Sequence, residues 1–137
     1  MTSAPVRREF TADAAGVAAL DDWLETATVD WPCQGAVLKA RVCAAEVGAN
    51  LIEHGSAPDR AAVIEVRLSE DAEGVLLELA DDGAAFDPTR FPPAPDGETL
   101  QSATPGGRGL RAIQGLAHAL AYRREDGRNR LSLKIGA

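Results

Sequence analysis

The sequence predicts an α/β two-layer sandwich of the α+β kind, in which a mixed, largely antiparallel sheet is covered on one face by helices. Three observations carry that expectation. Two pairs of segments read as hairpins: the apolar-rich runs 62–68 and 75–80, joined by an acidic turn ending in Gly, and 121–125 with 130–135, flanking the turn signal Asp126-Gly127. Helical periodicity is grouped between those pairs and does not alternate with single strands. The chain has 137 residues, 45% of them hydrophobic, enough for one well-buried domain over 1–137 and too few for two.

Taken in order, Val6 to Thr11 alternates weakly and forms a first strand. Asp13 is the N-cap of a helix from Ala14 to Ala27, with Val17, Leu20 and Leu24 on one face. Trp31-Pro32 interrupts. A central helix follows from about Gly35 to His54, closed by Gly55 as its C-cap. The first hairpin joins Ala62–Leu68 to Val75–Ala80 through the acidic turn Ser69 to Gly74. Asp87 to Pro105 holds five of the eight prolines and has no period, so a functional lid is expected there. Gly109 to Leu120 reads as a helix with Leu110, Ile113, Leu116 and Leu120 on one face. Asp126-Gly127 then turns Ala121–Glu125 back onto Arg130–Ile135.

On the central helix, Leu38, Val42, Ala45, Ala49 and Ile52 step by four, three, four and three, and are assigned to the core. Lys39, Cys43, Glu46, Asn50 and Glu53 lie one residue round, along the margin of that face. Gly48 and Asn50 are poor helix formers, together costing roughly 1.5 kcal/mol relative to Ala, and such conflicts gather at functional sites. Two readings stand here: Gly48 admits a close neighbour and Asn50 is merely solvated, or the margin carries chemistry.

A net charge of -7, from 21 acidic against 14 basic residues, argues against nucleic acid or an anionic membrane as the main partner. Cys33 and Cys43 form no CxxC pair and no Cys/His metal spacing, which fits a reducing cytoplasm. With no apolar run long enough for a signal peptide or a membrane span, a soluble, unexported protein is expected.

Two further stretches carry chemistry. Asp81-Asp82-Gly83-Ala84-Ala85-Phe86-Asp87-Pro88 leaves a strand end, where rigid backbone can aim the Asp81 carboxylate and Gly83 lets a ligand approach; acid-Gly turns after strands are also often only turns. Pro105-Gly106-Gly107-Arg108-Gly109-Leu110 opens a helix, and glycine-rich backbone there cradles anions. Gly107, Gly109 and Ala112 fit the dinucleotide pattern, but no strand precedes them, so the Rossmann reading is rejected. A P-loop fails too, because the only lysines are Lys39 and Lys134.

In this order the three stretches resemble the N, G1 and G2 boxes of the GHKL ATP-binding superfamily, and within it the small anti-sigma-factor serine/threonine kinases. The resemblance covers about Leu38 to Ile135 and rests on the E-x-x-x-N-x-x-x-H-G run Glu46 to Gly55, on Asp81 to Pro88, on Gly106 to Gly109, and on the closing run Tyr122 to Leu131. It implies a Bergerat-type ATP-binding fold with ATP and Mg2+ as cofactors. It assigns nucleotide binding to Asn50, Asp81, Gly83, Phe86, Gly106, Gly107, Arg108, Gly109 and Leu110. Within that set, Asn50 is the magnesium ligand, an amide oxygen suited to a hard cation. Asp81 accepts from the adenine amino group, a contact that can disfavour GTP by roughly 10⁴-fold. Glu46 is the general base on the substrate hydroxyl. His54 is expected to be a helix-terminal residue and not a phosphoacceptor, since no dimerisation helix precedes it. Ala85 stands where the wider superfamily often has a second Gly. Arg108 and Arg111 either reach phosphate or are solvated.

The implied activity is phosphorylation of a STAS-type antagonist protein in a partner-switching system that controls a sigma factor, by a cytoplasmic bacterial homodimer that binds neither nucleic acid nor membrane. A nucleotide-gated binding module that sequesters a regulator is the alternative. A plain ATPase is disfavoured, because the chain has no transducer domain to couple hydrolysis to motion.

Overall fold

The computed structural model describes residues 3–55, 60–87 and 113–137. Strand β1, Val6–Thr11, leads into helix α1, Ala14–Ala27. Asp13 caps α1 as expected: its backbone is extended and its Oδ1 accepts from the Gly16 N–H at 2.7 Å. Leu20 and Leu24 are fully buried. Between the helices, the Thr28 hydroxyl donates to the Leu24 carbonyl at 2.6 Å, and Gln34 Nε2 donates to the carbonyls of Thr28 and Trp31, each at 2.7 Å. This stitched turn delivers helix α2, Gln34–Asn50, alongside α1. Arg41 then clamps the two helices, donating to both oxygens of Asp21 at 2.9 and 3.0 Å and to Glu25 at 2.7 Å.

Helix α2 differs from expectation in two ways. Its buried residues are Ala36, Val37, Ala40, Cys43, Ala44 and Gly48, whereas Leu38, Val42 and Ile52, assigned to the core from their spacing, are exposed. Both sides of the helix are apolar, and the small-residue side won because it lets α2 approach its neighbours closely. At Gly48 a Cβ would stand 2.8 Å from Val17 Cγ2 of α1, so the close-packing reading of this glycine holds. Of the five residues expected along the margin, Lys39, Glu46 and Asn50 are half-buried, whereas Cys43 is fully buried and Glu53 is exposed. The second difference is at the C-terminal end, where residues Leu51–Gly55 form a turn of π-helix and Gly55 lies inside that turn. Such widened turns recur at functional sites.

Strands β2, Val63–Glu70, β3, Gly74–Asp81, β4, Ala119–Glu125, and β5, Arg128–Gly136, join β1 in one sheet of order β1-β2-β3-β5-β4. Every neighbouring pair is antiparallel, so the described sheet lacks the parallel component that a mixed sheet allowed. The predicted helix ending at Leu120 stops earlier. Residues 113–116 are helical, but Ala119 and Leu120 already belong to β4, where Leu120 faces Leu133 across the ladder. Residues 109–112 of that helix, and the proline-rich stretch beyond Asp87, lie outside the described residues. Asp126 (φ 53°) and Gly127 (φ 74°) both adopt the left-handed region that a two-residue hairpin turn requires.

One sheet face is apolar: Ile64, Val66 and Leu68, then Val75, Leu77 and Leu79, then Leu131, Leu133 and Ile135 are buried in the core with the helices. The other carries cross-strand ion pairs, Arg7 with Glu65 at 2.6 Å and Arg67 with Glu78 at 2.7 Å, the pattern of a wet face. Among the described residues no helix is long and apolar enough to cross a membrane.

Candidate functional site

The sheet register brings a polar row to the otherwise apolar inner face. Ile64 faces Asp81, Asp81 faces Asn129, and Asn129 faces Arg124, so three polar side chains sit side by side on β3, β5 and β4 at one end of the sheet. Asp81 and Asn129 are only 6% and 5% exposed. Buried polar groups must be hydrogen-bonded, and Asn129 is engaged on both ends of its amide. Its Nδ2 donates to Asp81 Oδ1 at 2.9 Å and to the Ala84 carbonyl at 2.8 Å; its Oδ1 accepts from the Tyr122 hydroxyl at 2.6 Å and from the Phe86 N–H at 3.3 Å.

The loop after β3 is held from several sides. Gly83 donates its N–H to Asp81 Oδ1 at 2.9 Å, while its carbonyl accepts from Arg124 at 2.8 Å. Asp82 Oδ1 accepts from the Val63 N–H at 2.8 Å, and Arg60 donates to Oδ2 at 2.9 Å; these bonds hold the Asp82 carboxyl below its ordinary range. Ala84 donates to the Gly55 carbonyl at 3.0 Å, tying the loop to the π-turn. The room that Gly83 leaves is used by this same contact. A Cβ there would meet the Gly55 carbonyl oxygen at 2.9 Å, and Asp81 Oδ1 and Leu51 Cδ2 at 3.0 Å each, so what approaches on that side is the protein's own backbone.

Both described hydrogen bonds to Asp81 go to Oδ1. Burial pushes its carboxyl above the ordinary aspartate range, opposed by the bonds from Asn129 and Gly83 and by the charge of Arg124. The result is a carboxylate braced on one oxygen at the foot of a cleft. That cleft is walled by Val47, Leu51, Leu79 and Leu131, and carries Asn50 on one lip and Phe86 with His54 on another. The His54 and Phe86 rings are nearly parallel, 18° apart in plane, with centroids 6.3 Å apart. Apolar walls with a few convergent polar groups suit a flat heteroaromatic ring, and an acceptor-only carboxylate at the foot suits an amino substituent on it.

The structure therefore brings Asn50, Asp81 and Phe86 to one cleft, with Gly83 bracing its floor. Glu46 is not a lining residue. It sits one helical turn before Asn50 on the same half-buried margin, about 6 Å along the axis. Neither Glu46 nor Asn50 makes a side-chain hydrogen bond or ion pair with another described residue, and Arg41, the nearest arginine along α2, is committed to Asp21 and Glu25. His54, expected only to end a helix, lines the cleft mouth. Gly106, Gly107, Arg108, Gly109, Leu110 and Arg111 lie outside the described residues. Asn129, Tyr122 and Arg124 were missed as site residues, although the signal was present. A two-residue turn at Asp126-Gly127 puts Asn129 on the same parity as Leu131 and Leu133, so a polar residue was due on the buried face.

Residues 10–135 match the model of a protein family described as the histidine kinase-like ATPase domain. The chain is also 41% identical over 92 residues to the serine/threonine-protein kinase BtrW of Bordetella bronchiseptica, which covers 67% of this chain and 65% of the relative. The match thus spans a little under two thirds of the relative's length.

Proposed function

The chain belongs to the histidine kinase-like ATPase domain family, and on that premise we propose that it is an ATP- and magnesium-dependent serine/threonine protein kinase of the anti-sigma-factor type. The observation that carries this reading is the braced Asp81 carboxylate at the foot of an apolar cleft that has Asn50 on its lip. Similarity to a relative named as a serine/threonine-protein kinase supports the choice of reaction. The substrate in this reading is a STAS-type antagonist protein, in a cytoplasmic partner-switching system that frees or holds a sigma factor, and the working form is a homodimer.

In this reading adenine lies in the cleft, its amino group donating to Asp81 and its ring against Leu79, Leu131 and Leu51. Asn50 offers its amide oxygen to magnesium, which neutralises phosphate charge when bound. Among the described residues no group of three or more His, Cys, Asp and Glu side chains could hold a metal. Glu46 takes the proton from an incoming serine or threonine hydroxyl, whose oxygen attacks the terminal phosphorus while ADP departs. Gly106, Gly107, Arg108, Gly109 and Leu110 complete the reading as the phosphate wrap.

Radiolabelled ATP with a STAS-type protein is the test. Glu46→Ala should keep ATP affinity and slow transfer by roughly 10² to 10⁴-fold, whereas Asn50→Ala should lose magnesium-dependent binding. Undiminished transfer by Glu46→Ala removes the base assignment. ATP binding with no transfer by the parent protein favours a nucleotide-gated binding module.

A further inference from the structure

The water-facing side of α2 has no role in the core. Leu38, Val42 and Ile52 are 57%, 39% and 43% exposed, with Ala49 exposed and Ala45 half-buried between them. They form one stripe along α2 and into the π-turn, on the side opposite the small residues that pack on α1 and the sheet. Scattered exposed apolar residues are ordinary, but a contiguous row marks an interaction surface.

We propose that this stripe docks the protein that presents the acceptor serine or threonine hydroxyl, an inference that rests on the kinase reading above. Position decides the occupant. Glu46 lies four residues after Val42 and three before Ala49, and side chains at those spacings sit roughly 5–6 Å apart on a helix surface. A folded protein whose hydroxyl reaches Glu46 therefore covers Val42 and Ala49 in the same approach. A standard interface buries about 800 Å² per partner, a disc of roughly 16 Å radius. Centred on Glu46, that disc takes in Leu38, about 12 Å away along the axis, and Ile52, about 9 Å away. One footprint covers the catalytic margin and the whole stripe. The partner surface that fits is an apolar patch beside its acceptor hydroxyl, and a short peptide carrying the hydroxyl alone would not engage it.

The test uses the full chain with Leu38→Asp and Val42→Asp, singly and together, and Val29→Asp as a control at a residue that is 67% exposed and off the stripe. The probes are a single-domain STAS protein from the same genome and a short peptide spanning its acceptor residue. Each stripe variant should raise KM for the protein roughly tenfold, the size of a hot-spot loss. ATP affinity, melting temperature and peptide phosphorylation should stay at parent values, as should every property of Val29→Asp. An unchanged KM in the folded double variant overturns the proposal. So does a change from dimer to monomer in light scattering with KM unchanged, which would give the stripe to a second copy of this chain. A parent that binds the STAS protein without phosphorylating it removes the kinase reading alone, provided the double variant weakens that binding tenfold. A parent that neither binds nor phosphorylates it removes both.

Discussion

Replacing Asn129 by leucine, which has the same branched shape, is somewhat larger and cannot hydrogen-bond through its side chain, should expose how much of the site depends on one amide. The change deletes the bonds to Asp81 Oδ1 (2.9 Å), the Ala84 carbonyl (2.8 Å), the Tyr122 hydroxyl (2.6 Å) and the Phe86 N–H (3.3 Å). A bond to a charged group contributes about 1.5–3 kcal/mol and a neutral one about 1. Tyr122 and Phe86 are not fully buried, so water can replace part of their loss. Asp81, only 6% exposed, keeps the Gly83 N–H on Oδ1 but loses the donor that Asn129 supplied. A net cost of about 3 kcal/mol follows, and with an unfolding entropy of about 2.1 cal/mol/K per residue over 137 residues the melting temperature should fall by roughly 10 °C. Loss of a donor also raises the Asp81 carboxyl further, so ATP affinity should drop in the same variant. Calorimetric melting followed by ATP titration reads both. A variant that melts within about 2 °C of the parent and binds ATP equally well would refute the view that Asn129 braces the acceptor.

Three other outcomes are expected. Because Asp81 stands above the ordinary aspartate range when folded, acidification should protonate the acceptor at a higher pH than an ordinary aspartate, so ATP affinity measured across a pH series should fall before the fold is lost; a decline only within the ordinary aspartate range would contradict this. Gly48→Ala places a Cβ 2.8 Å from Val17 Cγ2, and overpacking of about 1–3 kcal/mol should outweigh the roughly 1 kcal/mol gained in helix propensity; Val17→Ala in the same chain should restore most of the melting temperature. Arg41→Met should cost at most about 1 kcal/mol, since the Asp21 side chain is 39% exposed. The Arg41 hydrogen bond lowers the Asp21 carboxyl, so the contribution is present above the unfolded pKa and lost as pH falls through the lowered folded value. Chemical denaturation of parent and variant should therefore converge in acid.

Local chemistry was readable from the sequence wherever neighbouring residues settle the matter. Asp13 capping α1 from Ala14 to Ala27, the hairpin turn at Asp126-Gly127 and the placing of Asp81 at a strand end all depend on contacts a few residues long, and the structure has them where they were expected. The margin bearing Glu46 and Asn50 was legible for the same reason, since helical spacing alone makes them neighbours. Which side of α2 is buried was not legible, because Leu38, Val42 and Ile52 share their period with Val37, Ala40 and Ala44. Period says that a stripe exists, and not what faces it. Only packing chose the smaller side, where Gly48 meets Val17 and the helix can approach its neighbours closely. The π-turn at Leu51–Gly55 and the bracing of Asp81 by Asn129 likewise join residues far apart in the chain, Ala84 to Gly55 and Asn129 to Asp81. Sequence by itself determined the elements and the chemical groups on them; the tertiary structure decided which faces meet, because burial is a property of two surfaces and a sequence pattern describes only one.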